Sequence, residues 1–184
     1  MIKLDIPNPH SKSEILASLQ DVSTKIKEYY TSISPELFFH DGLGGWSPAQ
    51  NLSHITFIAS LAANLFKLPR FLLILFGKQD HQRDFKTLHD DYLGSDKFIY
   101  IGPLAPSTIQ PPSNAKEVIH KMASDWIKSS EEIISALQSV PEEDFDNYSI
   151  PHPSMGMLSY REMVYVLIIH PIHHTYKVEQ KLPN

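Results

Sequence analysis

Ten histidines are spread through a chain of 184 residues that contains no cysteine, and three of them fall within HPIHH, residues 170–174. Neutral imidazole is a good ligand for zinc, nickel, copper or iron. Without thiolates, a transition-metal site in this chain has to be built from His, Asp or Glu. On a helix, residues four apart lie about 40° apart on one face and one turn along the axis. His170 and His174 form such a pair, in phase with Met163, Val166, Leu167 and Val178. His173 is turned about 100° from His174, which separates its role from theirs: it either supports the site from behind the ligands or lies at the surface, with the surface favoured. His54, in a different helical segment, shares a face with Ile58, Leu61 and Leu65.

Three histidines from two helices therefore point into one interior. Each buried ring nitrogen left unpaired costs roughly 1–3 kcal/mol. A single divalent ion would partner all three and leave a coordination position for water or substrate, as in catalytic rather than closed structural sites. Such an ion lowers the pKa of bound water, or holds and activates a thiol. Hydrogen-bonded core histidines would produce the same spacing, so both readings stay open here. Residue 171 is Pro, not Glu. The HExxH arrangement of zinc proteases, with its built-in base, is therefore absent.

Four segments carry helical periodicity, each opened by a cap signal that satisfies otherwise unpaired amides. The first begins at Ser11-Lys-Ser-Glu14 and places Ile15, Leu19, Val22, Ile26 and Tyr29 in one stripe. The second begins at Ser47-Pro48-Ala49-Gln50, with Pro in the first turn where its missing N–H is harmless. It runs to about Lys67, and FLLILF (71–76) adds a short helical piece ending at Gly77. The third begins at Asn114 with Glu117 three residues on, shows Val118, Met122, Trp126, Ile133 and Leu137, and stops at Pro141. The fourth begins at Ser159-Tyr-Arg-Glu162 and closes before Pro183. The spacing predicts an all-α fold, a four-helix bundle forming one domain over residues 1–184. FIYI (98–101) is the best candidate for a strand.

Two connections are long: 78–113, between the second and third helices, and 141–158, before the fourth. Both are rich in Pro and turn residues. Loops of such length are functional excursions or hide short structure. The first is the candidate specificity element.

Hydrophobic residues make up 42% of the chain, enough for a real core. The net charge is −5 with scattered Lys and Arg, which argues against nucleic-acid binding. The longest apolar run is too short to span a bilayer, and the N-terminus lacks a signal-peptide pattern. A cytoplasmic protein is expected. His40-Asp41 and His89-Asp90 resemble the dyads of metal phosphohydrolases but lie in turn-like sequence. His152 sits in a Pro-flanked loop, and Trp46 is placed to staple the helix that follows it. Leu37, Phe38 and Phe39 read as core or dimer contact. Ser53 and His54 are adjacent and do not face each other, so no nucleophile dyad forms there. No general acid or base emerges, and the catalytic residues are unassigned.

WSPAQNLSH (46–54) and HPSMGMLSYRE (152–162), leading into HPIHH (170–174), resemble the DinB/YfiT-like superfamily of four-helix bundles. The resemblance spans most of the chain. It implies a divalent metal held by His54, His170 and His174, with zinc or nickel the usual ion. It also implies a small-molecule substrate, a thiol-dependent S-transferase or isomerase chemistry with a low-molecular-weight thiol as cosubstrate, or a hydrolase, and a homodimer. The departure is Pro171 between two ligands, which removes a helix hydrogen bond, crowds the Leu167 carbonyl and should kink the helix. Two other functions compete with an enzyme: a metal or small-molecule binding module without chemistry, and a metal-free structural remnant of the family.

Overall fold

A computed structural model describes residues 6–41, 45–78, 82–94 and 105–183. Four long helices carry the fold: α1 (Lys12–Ser32), α3 (Pro48–Phe66), α6 (Ala115–Gln138) and α8 (Tyr160–Glu179). Short helices intervene at α2 (Pro35–Phe38), α4 (Arg70–Leu73), α5 (Phe85–Gly94) and α7 (Asp144–Asn147), with a single 3-10 turn at Ile74–Phe76. Helix α6 packs on both α1 and α3, and α8 touches the same two helices from the opposite side. The four enclose one apolar core. This is the four-helix bundle expected from the periodicity.

Three of the anticipated caps form as full capping boxes, at Ser11/Glu14, Ser47/Gln50 and Ser159/Glu162. Each fixes where its helix begins and contributes about 0.5–2 kcal/mol. The fourth does not. At α6 the Asn114 amide donates to the Glu117 carboxylate instead of capping a backbone N–H.

The apolar stripes hold with local shifts. In α1 the phase selects Ile15, Leu19, Val22 and Ile26, but Tyr30 rather than Tyr29 is fully enclosed. In α6, Trp126 packs deep in the core, and its indole N–H donates to the Ser23 carbonyl of α1 at 2.9 Å. In α3 the buried set is Leu52, Ile55, Ala59, Ala62, Ala63 and Phe66, while Leu61 is 54% exposed. The expected core position of Leu61 is thus corrected: α3 turns Ile55, Ala59 and Ala62 inward, and its second apolar stripe faces outward. Phe38 and Phe39 are core residues, as anticipated.

Helix α8 departs most from an amphipathic surface helix. Every residue from Tyr160 to Ile169 is buried, the signature of a helix enclosed on all sides. The reason lies in the long connection: α5 emerges from 78–113 and packs on the outer side of α8. The second connection holds α7 and a β-hairpin, β1 (Ser149–His152) with β2 (Gly156–Ser159), paired antiparallel from Ser149↔Ser159 to His152↔Gly156. The hairpin was not foreseen, because Pro151 interrupts β1 and each strand is only four residues long. Gly156 turns it with φ +75°, a conformation that favours glycine. FIYI (98–101) lies outside the described residues.

The start of α8 is locked by Glu162, which is 2% exposed. Its carboxylate accepts from the Ser159 amide at 2.8 Å and from the Arg83 guanidinium at 2.7 Å. Arg161 clasps Asp146 of α7 with two nitrogens. These charged pairs fix the position of α8, and with it the histidines further along. Among the described residues, no helix is long and apolar enough to cross a membrane.

Candidate metal centre

Helices α3 and α8 run antiparallel where the histidines meet. His54 faces His170, Trp46 lies over His174, and the Lys181 ammonium sits where a Cβ on Gly45 would be. Gly45, with φ +141°, admits both the backbone conformation and that close approach. The site therefore lies near the end of the bundle where α3 begins and α8 finishes.

The three histidines picked by helical phase converge here. One ring nitrogen from each of His54, His170 and His174 falls within a group no more than 4.8 Å across. The Nε2 atoms of His54 and His170 are 3.2 Å apart. Three nitrogens about 2.0–2.1 Å from a tetrahedral zinc ion would lie roughly 3.4 Å from one another. The observed spacing fits that with small side-chain rotations. His54 and His174 are 8% and 9% exposed, and His170 is half-buried.

The protonation states also suit ligation. Burial holds His170 well below the ordinary imidazole pKa, and neighbouring His54 pushes it the same way. Burial likewise depresses His174, with His170 the next contributor. Both rings are neutral at physiological pH, with lone pairs available. His173 is pushed down to about 4, chiefly by burial and then by Lys177.

Pro171 does not end α8. The helix continues through it to Glu179, and the Thr175 hydroxyl donates to the Pro171 carbonyl at 2.8 Å. His170 and His174 remain on one side, with ring centroids 4.6 Å apart.

The surrounding shell departs from expectation at three residues, Trp46, Asn51 and His173. Trp46 does not act merely as a cap staple: its ring stacks on His174 at 5.8 Å with a 14° tilt, and lies 5.0 Å from His54. It forms an aromatic wall of the centre. Asn51 contacts His174 Nδ1 through its side-chain oxygen at 2.8 Å. Sequence reasoning missed Asn51, though it lies three residues before His54 on the same face of α3. His173, expected at the surface, is half-buried and meets the Tyr92 ring of α5 edge-on at 5.8 Å. Helix α5 thus reaches the flank of the centre.

Among the described residues no other histidine joins this group, although His152 lies near enough to His170 for its charge to act on it. His40 is exposed beyond α2. His89 contacts Asp90 at 3.1 Å on α5, where the same carboxylate is held by Lys86. His152 Nδ1 accepts from the Met155 amide and closes the hairpin turn. On the bundle axis, Leu19, Val22, Ile55, Trp126 and Leu167 line a cavity beside His170 with a free volume of about 20 Å³. That is room for little more than one water.

Comparison with known families gives an independent result. The DinB superfamily pattern matches residues 35–177, a span that includes α3, α6 and all three histidines. The chain belongs to the DinB superfamily. No curated protein and no solved structure matches it. Within this DinB protein the trio is built from one residue of α3 and two of α8, and it is a group that can hold a divalent ion.

Proposed function

We propose that this DinB protein is a metal-dependent enzyme acting on a small molecule, most simply a transferase that uses a low-molecular-weight thiol, with hydrolysis as the alternative reaction. The observation that carries the proposal is the convergence of three imidazole nitrogens within 4.8 Å, with no carboxylate among them. Such a donor set suits zinc or nickel. When bound, the ion would supply Lewis acidity, lowering the pKa of a coordinated water or thiol. His54, His170 and His174 hold it, and Trp46 shields one side.

The axial cavity beside His170 is too small for a substrate. A cytoplasmic location and a homodimer complete the proposal. Support for self-association comes from the outward stripe of α3 and the segment after it, where Phe57, Leu61, Leu68, Phe71 and Leu75 are all exposed.

The test is turnover across a panel of small thiols paired with electrophiles, and across simple esters and amides, with zinc or nickel restored to chelator-treated protein. Metal-dependent turnover that disappears in His54→Ala, His170→Ala and His174→Ala supports the enzyme. Tight metal binding with no turnover on any member would turn the assignment to a binding module. Undiminished turnover in those variants would remove the histidines from the chemistry.

A further inference from the structure

A metal-binding histidine works only if the correct ring nitrogen carries the lone pair, and that is set by what the other nitrogen bonds. For His174 the surroundings decide it. Asn51, 4% exposed, offers its side-chain amide to three neighbours. Its nitrogen lies 3.1 Å from the Trp46 carbonyl and 3.0 Å from the Ser47 carbonyl, and its oxygen lies 2.8 Å from His174 Nδ1.

Carbonyl oxygens only accept. Turning the Asn51 amide over would set its oxygen against two backbone carbonyls, so the two helix-cap contacts fix which end faces His174. An amide oxygen also only accepts, so His174 Nδ1 must carry the proton. The ring's lone pair is then on Nε2. A histidine free in water favours the opposite form, with the proton on Nε2, so the arrangement has to be imposed.

We propose that Asn51 is the positioning residue of the centre: its side-chain oxygen, oriented by the Trp46 and Ser47 carbonyls, holds His174 in the Nδ1–H form and presents Nε2 to the site shared with His54 and His170. The link to metal affinity rests on the metal-dependent reading above; the assignment of the proton does not. Asn51 couples the cap of α3 to a ligand on α8. The segment from Trp46 to Asn51 thus covers His174 with a ring and orients it with an amide.

The experiment is long-range 1H–15N correlation of the histidine rings in chelator-treated, 15N-labelled protein, together with zinc affinity measured by competition against a chromophoric chelator. Wild type is expected to show His174 in the Nδ1–H form alone. Asn51→Leu, which cannot accept, should move His174 toward the Nε2–H form and lower zinc affinity by about 10–100-fold, the usual loss when an outer hydrogen bond to a ligand is removed. Asn51→Asp keeps an oxygen acceptor for Nδ1–H and should keep the tautomer, although its second oxygen faces the two carbonyls and destabilises the fold. A merely structural Asn51 would leave the tautomer alike in both variants.

His174 found in the Nε2–H form in wild type, or unchanged in Asn51→Leu, overturns the proposal whatever happens to zinc. Should Asn51→Leu fail to fold, the wild-type and Asn51→Asp spectra decide. A wild-type protein that shows the Nδ1–H form but binds no zinc would refute the metal reading and leave the role of Asn51 standing.

Discussion

Without a bound ion the fold should be acid-sensitive, because its buried imidazoles resist protonation. In the unfolded chain a histidine titrates near 6.5, and each proton that only the unfolded state binds changes stability by about 1.4 kcal/mol per pH unit. Burial holds both His170 and His174 well below that value in the folded protein. Stability is therefore fully present above about pH 6.5 and declines as pH falls through the unfolded pKa. At pH 5, some 1.5 units lower, each ring that stays neutral costs about 2 kcal/mol, so the pair costs about 4. His173, which titrates only near 4, steepens the loss. Against a total stability of order 5–15 kcal/mol this is a large share. Urea unfolding of chelator-treated protein at pH 7.5, 6 and 5 would read it, with a midpoint shift of about 2 M at a typical slope. His174→Asn should reduce the pH slope by about one proton. A wild-type midpoint that stays level from pH 7.5 to 5 would refute the buried, neutral state of these rings.

Other outcomes follow from the packing. Trp126→Ala should cost about 3–5 kcal/mol in denaturant unfolding, since it empties a core position and removes the N–H that ties α6 to the Ser23 carbonyl; a loss under 1 kcal/mol would contradict the packing. Glu162→Ala should cost about 1–3 kcal/mol, because it removes the cap of α8 and one of the two carboxylates that hold the partly exposed Arg83, which keeps Asp91; a near-neutral effect would show that this end of α8 is held elsewhere. Sedimentation should find the wild type self-associated, with Leu61→Asp shifting it to monomer through the exposed stripe of α3; a monomeric wild type at its highest soluble concentration would rule that interface out.

The site was legible because helical phase is a short-range property. His170 and His174 share a face by spacing alone, and the boxes at Ser47 and Ser159 fix where their helices begin. What needed the folded chain was the environment across helices. Leu61 shares the phase of His54, yet it lies outside, because the core-facing side of α3 is set by α6 and α8 rather than by its own sequence. Asn51 and Trp46 acquire their roles only when α8 lies alongside, and nothing local marks an asparagine as the partner of a ring more than one hundred residues later. Helix α5 was hidden because it is short and runs into the glycines and prolines from Gly94 to Pro112, which mark the whole segment as a connection. The hairpin was hidden because strands of four residues, one holding Pro151, leave no alternating pattern.

Metal binding by His54, His170 and His174 underlies the proposed chemistry. Elemental mass spectrometry on freshly purified, untagged protein, beside the three single His→Ala variants, tests it most directly. About one zinc or nickel ion per chain is expected in wild type, and its loss in each variant. A wild type that carries no ion, even after incubation with zinc and with nickel, would contradict it and leave His54 and His170 as a hydrogen-bonded pair in the bundle.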